Sequence, residues 1–93
     1  MYYRHVSFEF DPKKAATNLR KHGISFSDAE PVLYDPRALT REDPDATGEP
    51  RYLTVGTDAL GRVLMVCWTE RGSAVRVISA RLATTSERKC YES

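Results

Sequence analysis

The sequence has few cysteines and no long apolar run. Its two cysteines among 93 residues, Cys67 and Cys90, lack the spacing of a zinc site, and we expect both to be reduced thiols. No segment approaches the roughly 18 apolar residues of a membrane span, and the N-terminus lacks the apolar core of a signal peptide. We therefore expect a cytoplasmic protein without a membrane segment, folded as a single domain over residues 1–93.

The sequence also lacks a glycine-rich phosphate loop and a nucleophile elbow. Their absence excludes most enzyme classes that carry their chemistry in one local motif. A site assembled from dispersed residues remains compatible with the sequence.

Charge is small in total and uneven along the chain. The formal net charge is +1, but residues 1–23 carry a net +3, residues 24–61 a net −5 and residues 62–93 a net +3. If the two ends meet in the fold, they form a basic face able to hold a polyanion, with the acidic middle turned elsewhere. On charge alone, a solvated surface without a partner is the simpler explanation.

Apolar periodicity, caps and turns predict a small α+β fold: a mainly antiparallel sheet, two N-terminal helices and a short C-terminal helix. We predict strands at 6–10, 51–57, 63–68 and 74–81, a brief edge strand at 38–41, and helices at 11–22, 25–35 and 84–92. The cap of the second helix is either Ser25 with Asp28 or Ser27 with Glu30. The run 63–68 is apolar throughout, which indicates a central strand covered on both faces.

The strand predicted at 74–81 carries two arginines, Arg76 and Arg81. Five positions separate them, which on a regular pleat places them on opposite faces. Either one arginine acts at the strand end or a β-bulge re-aims it. Their planar guanidinium groups suit phosphate binding, although a surface salt bridge with Glu70, Glu87 or Glu92 explains them without any ligand.

Other polar residues have a structural explanation beside a functional one. Lys14 and His22 lie eight positions apart on the first helix, about two turns, yet such residues are usually only solvated or favourable to the helix dipole. Glu49 and Arg51 flank Pro50 at the start of a strand. Tyr91 is either a core aromatic or a proton donor.

Four blocks follow one another along nearly the whole chain: F-E-F-D-P-K-K-A-A-T-N-L-R-K-H-G-I-S-F-S-D-A (8–29), W-T-E-R-G (68–72), V-I-S-A-R-L-A-T (77–84) and E-R-K-C-Y-E (87–92). In this order they resemble the BrnT family of toxins. Phe10 stands where that family often has Trp, and Trp68 where it often has Tyr, both aromatic exchanges that should preserve packing.

The resemblance implies a type II toxin–antitoxin ribonuclease with a RelE-like fold, neutralised by a BrnA-type antitoxin in an oligomeric complex. It further implies RNA cleavage without a metal or other cofactor, which arrests translation and growth.

RNA cleavage needs a proton acceptor, a proton donor and positive groups for the charge on the phosphate. We assign the last role to Arg76 and Arg81, and leave proton transfer open among Glu49, His22 and Tyr91. The RNA-binding surface is extended by Lys14, Arg51 and Arg88. The alternatives are a non-catalytic module that binds RNA or a partner protein through the same basic face, and a structural half of a complex whose activity lies in the partner.

Overall fold

Residues 7–93 are described by a computed structural model that contains one sheet and three α-helices. The strands are β1 (Ser7–Phe10), β2 (Leu39–Glu42), β3 (Tyr52–Thr57), β4 (Val63–Arg71) and β5 (Ala74–Leu82). The helices are α1 (Pro12–His22), α2 (Phe26–Ala29) and α3 (Thr85–Glu92), and a 3₁₀ helix spans Glu30–Tyr34. Val6, predicted to begin the first strand, lies outside the described residues.

The five strands lie in the order β1-β5-β4-β3-β2. Pairings within β2 to β5 are antiparallel, whereas β1 pairs with β5 in parallel. The sheet is therefore mixed, and the prediction of an antiparallel sheet is wrong for its first strand. The two strands of a parallel pair cannot be joined by a tight turn, and here both N-terminal helices and three strands intervene.

Helix α1 has the ends that its sequence predicts. The Oδ1 atom of Asp11 accepts a hydrogen bond from the Lys13 amide at 2.9 Å. Gly23 ends the helix at φ 71°, in the left-handed conformation that a residue without a Cβ adopts readily. Local capping chemistry therefore fixes both ends of α1.

The second predicted helix is shorter than expected. Of the two possible caps, the structure has Ser25, whose Oγ accepts from the Asp28 amide at 3.1 Å. After Ala29 the chain continues as a 3₁₀ helix that contains Pro31. Because proline has no amide hydrogen, the α-helical ladder cannot pass through it unbroken.

The hydrophobic core lies between one face of the sheet and the helical segments. Phe26, Ala29 and Val32 are almost fully buried there against Leu64 and Val66 of β4. Burial of these side chains is the main favourable contribution to folding, at roughly 1.5–3 kcal/mol for each large one. No helix within residues 7–93 is both long enough and apolar enough to cross a membrane.

Asn18 of α1 takes the place of a strand along part of one sheet edge. The β1–β5 pairing ends at Val77, so the following segment of β5 pairs with β4 on one side but has no described strand on the other. The buried Asn18 side chain donates to the Ala80 carbonyl at 2.8 Å and accepts from the Ala80 amide at 3.0 Å. It also donates to the Ile24 carbonyl at 3.0 Å. These bonds hold α1 alongside the edge of β5.

Helix α3 is attached to the sheet mainly through polar contacts. Its predicted capping box is present, with Thr84 and Glu87 each accepting from the other's amide. None of its residues is fully buried. An eight-residue helix is not stable alone in water, so its docking depends on contacts to the sheet.

Candidate functional site

A β-bulge brings Arg76 and Arg81 onto the same face of the sheet. Cys67 of β4 lies opposite Ser79, but the next residue of β4, Trp68, lies opposite Val77, which leaves one extra residue in β5. Beyond the bulge Arg76 pairs with Thr69, and before it Arg81 pairs with Met65.

Residues 65, 67 and 69 alternate onto one face of β4, so their partners Arg81, Ser79 and Arg76 share that face. Of the two predicted explanations for the arginine spacing, the structure has the bulge. We call this side of the sheet, opposite the hydrophobic core and defined by Arg51, Cys67, Arg76, Ser79 and Arg81, the arginine face.

Arg76 lies beside a carboxylate but keeps an unused donor. Its Nε is 3.4 Å from Oε1 of Glu9, its neighbour across the parallel pair. The contact satisfies the distance of an ion pair, yet the buried Nε–H is not aligned for a hydrogen bond. Nε of Arg51 likewise lacks a hydrogen-bond partner among residues 7–93. Buried donors without an acceptor are rare in folded proteins, and each of these two marks a candidate position for an acceptor oxygen of an anion.

Arg81 is fixed by a bidentate ion pair with Glu87 of α3. Its Nη1 and Nη2 donate to the two carboxylate oxygens at 2.8 and 3.0 Å. Nη1 also donates to the Leu82 carbonyl at 3.2 Å. The edge of the guanidinium formed by Nε–H and the second Nη2–H has no partner among the described residues. That edge is a second two-donor fork, which matches two oxygens of a phosphate.

The pair with Arg81 also sets the ionisation of Glu87. Hydrogen bonds from Arg81, reinforced by the Thr84 amide, outweigh burial and lower the pKa of Glu87 from 4.5 to about 2. The same hydrogen bonds raise the pKa of Arg81. Both groups are therefore charged at neutral pH, and the guanidinium keeps its orientation.

Lys14 lies in a groove that Ser79 of the arginine face also lines. Burial, together with the charge of Asp43, raises the pKa of the Cys67 thiol, whereas Arg51 and Lys14 act in the opposite direction. The N-terminal and C-terminal segments of the chain meet here, since Lys14 and Ser79 line the same groove.

Glu49 lies at the rim of the arginine face. Its Oε1 is 3.9 Å from Nη2 of Arg71, at the end of β4. The next residue, Pro50, accepts a hydrogen bond from the Thr69 hydroxyl at 2.7 Å, and Thr69 is the cross-strand partner of Arg76. The chain therefore brings the Glu49 carboxylate to the Arg76 end of the site.

His22 lines a groove between α1 and β5, with Ser79 on the opposite wall. It lies eight residues beyond Lys14, about 12 Å along the helix axis. His22 therefore shares the groove with Ser79 of the arginine face, but it lies about two helical turns from Lys14.

The Tyr91 hydroxyl is engaged in a structural network. It donates to Oδ2 of Asp35 and lies 2.8 Å from the Thr57 hydroxyl, with the Arg37 guanidinium 5.9 Å from its ring centroid. Burial tends to raise the pKa of Asp35. The hydrogen bonds from Tyr91 and from the Thr57 and Arg37 amides together have the larger effect, so the pKa is lowered overall. These contacts favour the packing explanation of Tyr91 over a proton-transfer role.

Arg88 lies apart from the arginine face. Its guanidinium contacts Glu92 at 3.3 Å on the exposed side of α3, and it lines a depression next to Gly61 and Arg62 at the β3–β4 hairpin. The structure therefore does not bring this predicted RNA-binding residue together with the others.

Sequence reasoning did not assign Glu9 or Ser79 to the site. Glu9 has a signal in the sequence, because it alternates with Phe8 and Phe10 and must therefore point away from the core. Ser79 has no such signal, since its position depends on the bulge. Glu87 is one of the three salt-bridge partners predicted for the arginines, and the structure pairs it with Arg81. Residues 7–93 contain no group of three or more His, Cys, Asp or Glu side chains arranged to hold a metal ion.

Comparison with known proteins identifies the family of this chain. The model of the BrnT ribonuclease toxin of type II toxin–antitoxin systems matches residues 10–87. A 1.1 Å crystal structure of the Brucella abortus ribonuclease toxin BrnT has 27% sequence identity and a TM-score of 0.65, covering 87% of this chain and 100% of that chain. A search of curated proteins found no match. The predicted resemblance is confirmed, and the chain belongs to the BrnT family of ribonuclease toxins.

Proposed function

We propose that this protein cleaves RNA on the arginine face by metal-independent acid–base chemistry, and thereby arrests translation and growth. The observation that carries the proposal is the pair of buried arginine N–H groups, on Arg51 and Arg76, that have no hydrogen-bond acceptor within residues 7–93, together with the donor edge of Arg81 that no described residue uses. Three guanidinium groups with unused donors on one side of a rigid sheet form a preorganised site for a phosphate.

In the proposed reaction the ribose 2′-oxygen attacks the adjacent phosphorus. A bond forms between O2′ and phosphorus while the bond to O5′ breaks. O5′ leaves with the bonding electrons and takes up a proton from solvent, and the other product carries a 2′,3′-cyclic phosphate. Arg76 and Arg81 donate to the non-bridging oxygens, where negative charge increases in the transition state. Lys14, which lines the groove beside Ser79, and Arg51 hold the neighbouring backbone.

The proton of the 2′-hydroxyl passes to a carboxylate beside Arg76. Glu9, which is 3.4 Å from the Arg76 guanidinium, and Glu49 at the rim are the two candidates. The pH–rate profiles of Glu9→Gln and Glu49→Gln distinguish them, since the variant that lacks the acceptor loses the acidic limb of the profile. Tyr91 is kept out of this role because its hydroxyl already bonds to Asp35 and Thr57.

The partner that completes the system is an antitoxin, for which we propose a BrnA-type protein that covers the arginine face in an oligomeric complex. A surface that attracts RNA by its charge also attracts a partner with acidic groups. We place toxin and partner in the cytoplasm, where translation takes place. An antitoxin footprint that left Arg76 and Arg81 accessible to solvent would contradict this mode of neutralisation.

The deciding experiment incubates the purified protein with a defined RNA in the presence of a chelator. We expect cleavage that leaves a 2′,3′-cyclic phosphate. Arg76→Ala should lower the rate roughly 100- to 1000-fold, as for removal of a preorganised oxyanion donor. Arg20→Ala, which removes an exposed arginine of α1, is the matched control and should cleave at nearly the wild-type rate. RNA binding without cleavage in any condition would replace the proposal by the non-catalytic module.

Arg81 needs a control of its own, because it also holds α3. Arg81→Ala should abolish cleavage, with partial rescue by Arg81→Lys. Glu87→Gln breaks the same ion pair but leaves the guanidinium in place. If Arg81 contacts the phosphate, Arg81→Ala loses at least ten times more activity than Glu87→Gln. Equal losses would show that Arg81 acts only by docking α3.

A further inference from the structure

A basic groove runs between α1 and the second half of β5. It has a volume of about 280 Å³ and is lined by Lys13, Lys14, Thr17, Asn18, Lys21, His22, Ile78 and Ser79. The groove exists because the pairing of β1 with β5 ends at Phe10 and Val77, and beyond it the Asn18 side chain, rather than a strand, holds α1 against the sheet edge. Three hydrogen bonds of this buried side chain fix the distance between the two walls.

The charge in the groove is of one sign and is not neutralised. Lys13, Lys14 and Lys21 have no carboxylate within 4.0 Å in residues 7–93, and no acidic residue lines the walls. Lys14 and Lys21 are seven residues apart and share one face of α1, about 10 Å from each other along its axis. A nucleic-acid strand carries a phosphate every ~3.4 Å of axis, so this length covers more than one.

The groove is continuous with the arginine face. Ser79 forms part of its β5 wall and also lies between Arg76 and Arg81 on that face. Lys14 lines the groove and acts electrostatically on Cys67, which is opposite Ser79. An RNA strand with one phosphate bound between Arg76 and Arg81 can therefore continue into the groove, where the electrostatic potential is also positive.

We propose that this groove is a binding track for the RNA backbone next to the cleaved bond. Lys13, Lys14 and Lys21 bind phosphates, and the Thr17 and Ser79 hydroxyls donate to phosphate or ribose oxygens. No Phe, Tyr or Trp lines the groove, so bases have no large aromatic surface on which to stack. The track therefore binds the backbone without reading the sequence. This inference rests on the proposed ribonuclease function and extends it to Lys13, Thr17 and Lys21, which that function does not use.

The test compares Lys21→Ala with Lys89→Ala. Both remove one exposed lysine charge, but Lys89 lies on α3 outside the groove. Binding of a labelled single-stranded RNA, 2′-O-methylated at every position to prevent cleavage, is followed by fluorescence anisotropy over a range of salt concentrations. One lost phosphate contact lowers the slope of log K against log salt by about 0.7, which corresponds to about fivefold weaker binding at 0.1 M salt.

We expect this change for Lys21→Ala and less than twofold weaker binding for Lys89→Ala, with equal melting temperatures as the check of folding. With cleavable RNA, Lys21→Ala should raise KM and leave kcat unchanged, because a remote backbone contact binds substrate and transition state equally. Equal salt slopes for the two variants would overturn the track even if the wild-type protein cleaves RNA. Failure of the wild-type protein to cleave any RNA would instead refute the proposed function, while the binding comparison would still decide the track.

Discussion

The ion pair between Arg81 and Glu87 yields a quantitative prediction for Glu87→Gln. Glutamine preserves the shape of the side chain and can still accept from the Thr84 amide, so the helix cap is retained. What the variant removes is the negative charge opposite the guanidinium. We expect α3 to be held less tightly and the free energy of unfolding to decrease.

The magnitude follows from the lowered pKa of Glu87. A decrease from 4.5 to about 2 corresponds to an upper limit of about 3 kcal/mol, at about 1.4 kcal/mol for each pKa unit. The Arg81 side chain is 38% exposed, so solvent screens the pair. We therefore expect a loss of about 1–2 kcal/mol at pH 7, more than a typical surface ion pair because the contact is bidentate.

The effect depends on pH with a defined sign. The pKa of Glu87 is lower in the folded than in the unfolded protein, so its contribution is complete above about pH 4.5 and decreases as the pH falls towards 2. Urea unfolding followed by the fluorescence of Trp68, the single tryptophan, measures this between pH 7 and pH 2.5. The difference between wild type and Glu87→Gln should shrink steadily below pH 4.5.

Glu92→Gln is the matched control on the same helix. Glu92 pairs with Arg88 at 3.3 Å, but both side chains are more than half exposed, so we expect a loss below about 0.5 kcal/mol. Two results would contradict this account of the Arg81–Glu87 pair. One is that Glu87→Gln is no more destabilising than Glu92→Gln at pH 7. The other is that the loss of unfolding free energy caused by Glu87→Gln is as large at pH 2.5 as at pH 7.

Three other variants test the scaffold of the site. Tyr91→Phe removes a donor to Asp35 and a bond to Thr57, so we expect a loss of about 1–2 kcal/mol in urea unfolding with RNA cleavage within threefold of wild type; a tenfold slower reaction of a stable variant would place the hydroxyl in the active site. Asn18→Ala leaves three buried backbone groups without partners and should cost about 3 kcal/mol or more, which a melting temperature near that of wild type would contradict. Gly56→Ala brings a Cβ within 3.2 Å of two atoms of Val32 and one of Asp35, and should lower the free energy of unfolding by about 1–3 kcal/mol. Unchanged stability would show that the 3₁₀ helix shifts to make room at little cost.

Elements and their ends follow from local chemistry, and the sequence predicts them well. The Asp11 and Gly23 ends of α1 and the capping box at Thr84 and Glu87 are present as predicted. The two-residue turn after β4 uses a positive φ at Gly72, where glycine favours the reversal. Each of these features depends on groups a few residues apart, so the printed sequence contains the required information. There are two exceptions. Pro31 converts the second half of the second helix into a 3₁₀ helix, and β4 continues to Arg71, three residues beyond its predicted end.

The composition of the site follows from the sequence only in part. The family pattern and the basic ends predict Lys14, Arg51, Arg76 and Arg81, and the register of β4 and β5 places Arg76 and Arg81 on one face. Arg88 has the same charge but lies elsewhere, because its direction depends on how α3 docks. Residue type alone therefore selects candidates for phosphate binding without deciding which of them meet.

Tertiary structure decides the rest, because the partners are far apart along the chain. Asn18 bonds to Ala80 across 62 residues, and Tyr91 to Asp35 across 56. The bulge that places Arg76 and Arg81 on one face is a register shift between two strands, which no periodicity within β5 alone reveals. The sequence by itself determined which segments are helix or strand and which charges are available; only long-range packing, by fixing register and docking, determined which of those charges share a face.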